Sequence, residues 1–276
     1  MLTRIITGVI GIAAFAYVIQ LGGEVFAAGG AVLALLAWFE FSRAFDQKGY
    51  NVALIIGGIL IAGICTSAWY GNFLQVMPAW TIGSALLVLA MLVLRHGDFS
   101  VPSALASLTG IFYIGIPFAH FIALRFVTSE HTLNTSLGNF DMGCALIWVA
   151  LIGTWSSDTF AYFAGSFFGR HKLCPVISPK KTVEGFIGGL AGTTAALAGV
   201  GYFFGFDTIV MAALGFCVCL VATLGDLVES VMKRYTGIKD SGNLIPGHGG
   251  VWDRFDSVLY TVPFVYYFVQ YIHIFG

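Results

Sequence analysis

Two polar segments interrupt an otherwise apolar chain of 276 residues, and they carry most of the side chains that could do chemistry. Residues 165–184 and 226–254 contain eight of the thirteen lysines and arginines, with carboxylates among them. Cations and carboxylates held close together are what the binding of phosphate groups and divalent metal ions requires. We therefore expect any catalytic site to be formed by these two segments.

The first polar segment contains a lysine pair, Lys180 and Lys181, directly after Ser178 and Pro179. Serine followed by proline is typical of an N-cap and a first helical position, which predicts a helix whose first turn carries both lysines. Cations there oppose the helix dipole, and a bound anion would remove the conflict. The alternative is that these lysines simply extend to lipid headgroups at the membrane surface.

The second polar segment begins with a polar stripe on one predicted helix face. Asp226, Glu229, Ser230 and Lys233 recur at helical spacing, directly after an apolar run. Carboxylates arranged in this way can bind a hard cation such as Mg²⁺. A solvated helix end has the same pattern in sequence, so the stripe alone leaves both interpretations open.

A glycine-rich turn at residues 247–250 follows, shortly before the last apolar run. Glycine allows the backbone to approach a ligand closely, and the start of the next helix offers unpaired N–H groups, an arrangement suited to phosphate. Asp253 and Asp256 could instead only cap that helix, Asp253 as the N-cap and Asp256 in the first turn. His248, between glycines, could be an ordinary turn residue.

A carboxylate also lies inside an apolar run, at Asp158. Gly153, Ser157, Ala161 and Gly165 recur every four residues around it, which predicts a helix face of small residues that lets another backbone come close. An ionised carboxylate at membrane depth is costly and normally faces a polar cavity or a cation. The alternative is a hydrated position at the membrane interface.

Together, these carboxylates, cations and glycines are what transfer of a nucleotidyl group requires. The reaction develops charge on phosphoryl oxygens, so metal ions and basic side chains supply most of the stabilisation, and a phosphate-bearing substrate can attack directly without a protein nucleophile. The sequence contains neither a Walker loop nor a G-x-S-x-G nucleophile motif.

The elements that position these residues are predicted to be transmembrane helices. The chain is 58% hydrophobic and only 10% charged, with a mean hydropathy of +0.88, far more apolar side chain than a soluble core of this size encloses. We predict an all-α, polytopic helical bundle with about nine spans. The predicted spans are Ile5 to Leu21, Val25 to Phe39, Val52 to Tyr70, Pro78 to Leu94, Val101 to Leu124, Gly143 to Ala164, Gly185 to Phe204, Thr208 to Gly225 and Phe255 to Ile274.

The basic residues predict the orientation of these spans. Nine spans place twelve of the thirteen lysines and arginines on one face and Arg125 alone on the other. By the positive-inside rule, the N-terminus and both polar segments are cytoplasmic. The net charge of -1 gives no general attraction to nucleic acid. Residues 1–141 are interpreted as a scaffold that is lipid-facing or forms a homodimer, and residues 142–276 as the catalytic region.

The second polar segment resembles the diagnostic motif of the phosphatidate cytidylyltransferase family, also called CDP-diglyceride synthases. The first segment and the Asp158 region also match patterns of that family. The residues that carry the resemblance are Ser157-Asp158-Thr159, Ser178-Pro179-Lys180-Lys181-Thr182, Glu184-Gly185, Ser230, Lys233-Arg234, Lys239-Asp240, Gly242, Ile245-Pro246, His248-Gly249-Gly250, Asp253-Arg254 and Asp256.

The resemblance implies a membrane enzyme, located in the bacterial inner membrane, that joins CTP and phosphatidate to give CDP-diacylglycerol and pyrophosphate. It implies a requirement for Mg²⁺, with Asp226 and Asp253 as the metal ligands in a polar cavity open to the cytoplasm. A second cation is a further expectation.

The remaining roles are our own interpretation. We expect Lys180, Lys181, Lys233, Arg234 and Arg254 to neutralise phosphates. His248 and the glycines Gly247, Gly249 and Gly250 would hold the triphosphate, and Asp158 would organise the cavity floor. Ser178, Glu184, Lys239 and Asp240 complete the predicted substrate-binding set.

Three other functions compete with this one. An ion-coupled carrier also needs a buried carboxylate such as Asp158, but the two halves of the chain show no matching pair of broken helices. A CDP-alcohol phosphotransferase would carry a D-G-x-x-A-R segment, which is absent from the sequence. A membrane lipid kinase would release a nucleoside diphosphate in place of pyrophosphate.

Overall fold

A computed structural model describes the backbone of residues 2–127, 132–135, 138–242 and 249–274; the side chains of residues 2–10 and of Asn134 lie outside what it describes. Within these ranges the chain forms mainly α-helices. They are α1 Leu2–Leu21, α2 Gly23–Gln47, α3 Leu54–Trp69, α4 Phe73–Leu94, α5 Val101–Gly110, α6 Ile116–Arg125, α7 Met142–Phe168, α8 Val183–Phe204, α9 Thr208–Thr236, α10 Trp252–Phe255 and α11 Val258–Tyr271. A π-helical turn, Ile111–Gly115, joins α5 to α6.

Four short strands complete the described structure. Strands β1 Thr132–Thr135 and β2 Gly138–Asp141 pair antiparallel, and so do β3 Lys172–Cys174 and β4 Ser178–Thr182. These two hairpins were not part of the predicted all-α fold. They lie between helices, where short polar runs contain too few apolar residues to extend a span.

Six helices of the described chain are long and apolar enough to cross a membrane. They are Gly23–Gln47, Phe73–Leu94, Val101–Arg125, Met142–Phe168, Val183–Phe204 and Thr208–Thr236. Gly11–Leu21 and Leu54–Trp69 are shorter apolar helices. The prediction of a helical polytopic membrane protein is therefore confirmed, whereas the count of nine spans and the cytoplasmic N-terminus stay predictions.

The chain divides into two compact units, Met1–Phe126 with Lys233–Phe255, and Val127–Met232 with Asp256–Gly276. The first unit is organised around aromatic residues of α2. Trp38 and Phe41 are almost fully buried, and the Trp38 indole N–H donates to the carbonyl oxygen of Leu54. The ring of Phe41 lies 5.2 Å from that of Trp252, so the chain around α10 packs against α2 within this unit.

Arg125, the basic residue predicted to lie alone on the far face, is buried in the first unit. Its Nε donates to the carbonyl oxygen of Ile19, at 3.0 Å, in the last turn of α1. A cation is favourable there because the carbonyl groups at a helix C-terminus carry partial negative charge and lack intrahelical partners.

The second unit is built on the close packing of α7 and α8. Asp141 caps α7, with its Oδ1 accepting from the N–H of Cys144 at 2.6 Å. At the C-terminal end of α8, Gly205 adopts a left-handed conformation with φ of 75° and ends the helix.

Glycines make the contact between α7 and α8 possible. A Cβ added to Gly188 would lie 2.2 Å from the Cβ of Ala164, and one added to Gly185 would lie 2.8 Å from the carbonyl oxygen of Ala161. One added to Gly189 would lie 3.1 Å from the carbonyl oxygen of Ser157. The small-residue face predicted around Asp158 is thus confirmed as a close helix-packing surface.

Candidate active site

A cavity of about 520 Å³ opens in the second unit, where α7, β4, α8 and α9 meet. Its volume lies within the range of small-molecule sites. The lining includes four predicted site residues, Asp158, Lys180, Lys181 and Asp226. The other lining residues are Ser157, Ala161, Tyr162, Gly165, Ser166, Leu173, Thr182, Gly185, Phe186 and Thr223.

An ion pair lies in this cavity between Lys181 and Asp226. The Nζ of Lys181 is 2.6 Å from Asp226 Oδ2, and the two side chains are 24% and 28% exposed. The hydroxyl of Ser230 donates to Asp226 Oδ1 at 3.2 Å. The pair brings a cation from the first polar segment and a carboxylate from the second into one site, and partial exposure leaves both accessible to a ligand.

The predicted helix start at Ser178 is wrong. Ser178–Thr182 forms β4, and Thr182 caps the helix instead, with its Oγ1 accepting from the N–H of Gly185 at 3.1 Å. Pairing with β3 holds the segment extended, so the helix begins only at Val183. The two lysines therefore reach the cavity from a strand and not from the first turn of a helix.

Glu184 does not line the cavity but forms hydrogen bonds beside it, at the start of the β3–β4 hairpin. Its carboxylate accepts from the backbone N–H groups of Arg170 and His171, and its Oε1 lies 2.5 Å from the His171 Nδ1. These contacts tie the start of α8 to the residues before β3. The predicted role of Glu184 in substrate binding stays a prediction, as does that of Ser178 in β4.

Asp253, the second predicted metal ligand, belongs to the first unit and is held by several donors. Lys233 Nζ lies 2.9 Å from its Oδ1. Its Oδ2 accepts from the N–H groups of Ser241, at 2.8 Å, and Gly250, at 2.9 Å. Burial alone would raise the pKa of this carboxyl, but the Gly250 N–H and the Lys233 ammonium outweigh burial and lower it. Asp253 is therefore held as a carboxylate.

Glu40 in α2 is a residue of this region that sequence reasoning misses. It is buried, with 6% exposure, and its Oε1 accepts from the N–H of Val251 at 3.0 Å. Its Oε2 accepts from the N–H of Trp252, at 2.8 Å, and from the hydroxyl of Ser241, at 2.9 Å. The signal in the sequence is a carboxylate inside an apolar run, between Phe39 and Phe41.

The glycines of the second segment lie against these two carboxylates. Gly249 has a φ of 84°, and a Cβ there would lie 2.7 Å from Asp253 Oδ2. A Cβ on Gly250 would lie 2.3 Å from Glu40 Oε2. A side chain at either position would displace one of these carboxylates, so the contacts within the protein already favour glycine here. Gly247 and His248 lie outside the described residues.

The remaining predicted residues have different environments. Arg234, Lys239, Asp240 and Arg254 are exposed, and their roles toward substrate stay predictions. Glu229 is 1% exposed, so the alternative of a solvated helix end does not hold for this part of α9. Asp253 is not an N-cap; it lies in the first turn of α10 and accepts from residues that precede that turn.

The donor set suits a hard cation. Asp158 and Asp226 line the cavity together with two residues that carry hydroxyl groups, Ser157 and Thr223. No group of three or more His, Cys, Asp or Glu side chains forms a ready metal site among the described residues. A cation here would thus be held by one or two carboxylates and by substrate phosphate oxygens, which is how Mg²⁺ commonly binds.

Fold and site together define a polytopic helical membrane protein with a mixed cationic and acidic cavity, suited to phosphate-bearing molecules. Comparison with known proteins then places it: the chain belongs to the cytidylyltransferase family, whose sequence profile matches residues 2–272. It is 36% identical to a phosphatidate cytidylyltransferase of Staphylococcus aureus (strain COL) over 266 residues, 95% of this chain and 96% of that protein. It is 33% identical to phosphatidate cytidylyltransferases of Staphylococcus haemolyticus, over 95% of this chain and 96% of that protein, and of Bacillus subtilis, over 96% of each.

Proposed function

We propose that this chain transfers the cytidylyl group of CTP to phosphatidate, giving CDP-diacylglycerol and pyrophosphate. Its family and the names of its relatives support this reaction. The single structural observation that carries the proposal is the Lys181–Asp226 ion pair, which lies beside Lys180 in the cavity between α7, β4, α8 and α9. Such a site offers positive charge to phosphate and a carboxylate to a cation.

The chemistry follows from the charges involved. A phosphate oxygen of phosphatidate attacks the α-phosphorus of CTP, the new P–O bond forms, and the bond to the β-phosphate oxygen breaks to release pyrophosphate. Both substrates are anionic, so the site must neutralise charge before they can approach. Lys180 and Lys181 do this from β4, and Lys181 is released from Asp226 as its ammonium turns to a phosphate oxygen.

Mg²⁺, when bound, would supply further neutralisation of the charge that develops on the transferred group. Asp226 is proposed as one ligand because it is partly exposed in the cavity and already has a cationic partner there. Asp253 is proposed as the other by resemblance to the family. Its Oδ1 is held by Lys233 and its Oδ2 by N–H groups, and these donors would orient the carboxylate that holds the cation.

The other predicted residues complete the proposal. Lys233, Arg234 and Arg254 are proposed to neutralise phosphates, and His248 with the glycines to hold the triphosphate. Asp158 is proposed to shape the cavity floor, and Ser178, Glu184, Lys239 and Asp240 to contribute to substrate binding. The cavity is proposed to face the cytoplasm in a bundle of nine spans, because that arrangement collects the basic residues on one side. A homodimer in the bacterial inner membrane is the proposed assembly.

The test is incubation of the purified full-length protein in detergent with labelled CTP, phosphatidate and Mg²⁺. Formation of labelled CDP-diacylglycerol together with pyrophosphate is the expected result. Release of a nucleoside diphosphate would indicate a lipid kinase, and absence of any CTP-dependent product would refute the proposal. Replacement of Mg²⁺ by a chelator is expected to stop product formation.

The site assignment is tested by Asp226→Asn and Asp253→Asn. Each substitution keeps the size of the side chain but removes its negative charge, so we expect a loss of kcat of at least about 100-fold if the carboxylate binds the cation. Asp98→Asn, at an exposed position, is the matched control and should keep full activity. Wild-type rates in Asp226→Asn protein that is inserted and folded would contradict the assignment.

A further inference from the structure

Glu40 is a buried carboxylate in the half of the chain that sequence reasoning interprets as scaffold. It contacts three donors, all from the second polar segment: the N–H groups of Val251 and Trp252 and the hydroxyl of Ser241. A buried carboxylate is costly unless its oxygens are hydrogen-bonded, and these contacts supply that compensation. The contacts join α2 to residues 241–252 of the same compact unit.

The contacts of Glu40 continue directly to Asp253. The hydroxyl of Ser241 lies 2.9 Å from Glu40 Oε2 and 3.0 Å from Asp253 Oδ2. Val251 and Trp252, whose N–H groups bind Glu40, immediately precede Asp253 in the chain. Glu40 thus fixes the backbone next to Asp253 and also the serine that Asp253 binds.

We infer that Glu40 is a positioning residue for catalysis, which orients Asp253 by holding Ser241 and the backbone of Val251 and Trp252. The inference rests on the proposed role of Asp253 in the reaction. Glu40 itself needs no contact with substrate. Its substitution should therefore lower the rate at which the bound substrates react, kcat, more than it changes the affinity for either substrate.

The geometry explains why a carboxylate is required and why glutamine is an informative replacement. Both oxygens of a carboxylate accept hydrogen bonds, whereas an amide offers one accepting oxygen and a donating NH₂ group. Since Oε1 and Oε2 each accept from a backbone N–H, either orientation of glutamine sets a donor against a donor. The size of the side chain is unchanged, so the packing around α2 is preserved.

The experiment measures kcat and KM for CTP and for phosphatidate in the full-length Glu40→Gln variant, in detergent with Mg²⁺. We expect kcat to fall about tenfold or more, because the free energy of one hydrogen bond to a charged group, when lost from the transition state, corresponds to a rate change of that size. Both KM values should stay within about twofold of wild type. Glu24→Gln is the matched control. It makes the same chemical change at an exposed position in the first turn of α2, and should leave both constants unchanged.

A second variant separates positioning from a general loss of structure. Ser241→Ala removes the shared hydroxyl with little change in volume, and should lower kcat several-fold. If Glu40 acts through Ser241, the fold-decrease in kcat of the double variant is smaller than the product of the fold-decreases of the two single variants. Independent structural effects would give the full product. If Glu40→Gln does not fold, wild-type kcat in Ser241→Ala protein overturns the inference.

The outcomes also distinguish this inference from the proposed function. Wild-type kcat in Glu40→Gln protein, combined with an inactive Asp253→Asn variant, would overturn the positioning role and leave the proposed function intact. Full activity in Asp253→Asn protein would overturn the role of Asp253, and the inference would fall with it. A selective rise in KM in Glu40→Gln protein would also contradict positioning.

Discussion

Replacement of Lys181 by alanine tests the cavity most directly, because Lys181 is paired with Asp226 in the structure and is proposed to bind a substrate phosphate. Lys181 is paired with Asp226 at 2.6 Å, and both side chains are about a quarter exposed. Ion pairs that are open to solvent typically contribute about 0.2–1 kcal/mol to stability. A hydrogen bond from a cation to a charged substrate group is worth about 1.5–3 kcal/mol.

These magnitudes predict a separation between stability and activity in Lys181→Ala. Because about 1.4 kcal/mol corresponds to a factor of ten, kcat/KM should fall about 10- to 100-fold. The free energy of unfolding should change by less than about 1 kcal/mol. The measurements are initial rates over a range of CTP and phosphatidate concentrations, and thermal unfolding of the same preparation in detergent.

A matched control is available on the same hairpin. Lys172 is exposed, lies opposite Thr182 in the β3–β4 register and does not line the cavity. Lys172→Ala therefore removes a positive charge from the same region without removing a cavity cation, and should keep kcat/KM within about twofold of wild type. Equal losses in the two variants, or an unchanged kcat/KM in Lys181→Ala, would refute the reasoning.

Two further predictions concern the stability of the helices. Gly188→Ala places a Cβ 2.2 Å from that of Ala164, so it should destabilise the α7–α8 packing by about 1–3 kcal/mol. Gly199→Ala, where an added Cβ would meet no atom within 4 Å beyond the backbone of its own helix, should be neutral or slightly stabilising when both variants are measured by thermal unfolding in detergent. Arg125→Met removes the donor to the Ile19 carbonyl oxygen and should lower the free energy of unfolding by about 1–3 kcal/mol. An unchanged unfolding temperature would show that the contact contributes little to stability.

Much of the fold is predictable from sequence because lipid imposes a simple rule on the chain. A helix that crosses the hydrocarbon needs a long apolar run, since every backbone polar group must be satisfied internally. The runs that become α4, α7, α8 and α9 meet that requirement, and the structure has them as long helices. The small-residue face of α7 is predictable for a similar reason, because close backbone approach leaves room only for small side chains.

The hairpin at β3–β4 shows where local pattern is insufficient. Ser178-Pro179 has the local form of a helix start, but pairing of Ser178 with Cys174 and of Lys172 with Thr182 holds the chain extended. A capping rule considers only the few residues at a helix start. The strand pairing depends on residues 172–174, which lie outside that window, so the rule does not detect it. The true cap, Thr182, is recognised only once the strand is known.

The amino-acid sequence by itself determined the class of this protein and proposed most of the residues of its candidate site. Apolar runs, clustered charges and a spaced motif require only residue types and their order, and these identify a helical membrane protein and a nucleotidyl-transfer chemistry. Only the tertiary structure decided which of these charges meet. It joined Lys181 to Asp226 and Lys233 to Asp253, and it brought Glu40 of α2 to the residues that hold Asp253. Such partners are set by packing between segments that are separate in the chain, where burial makes each unpaired charge costly.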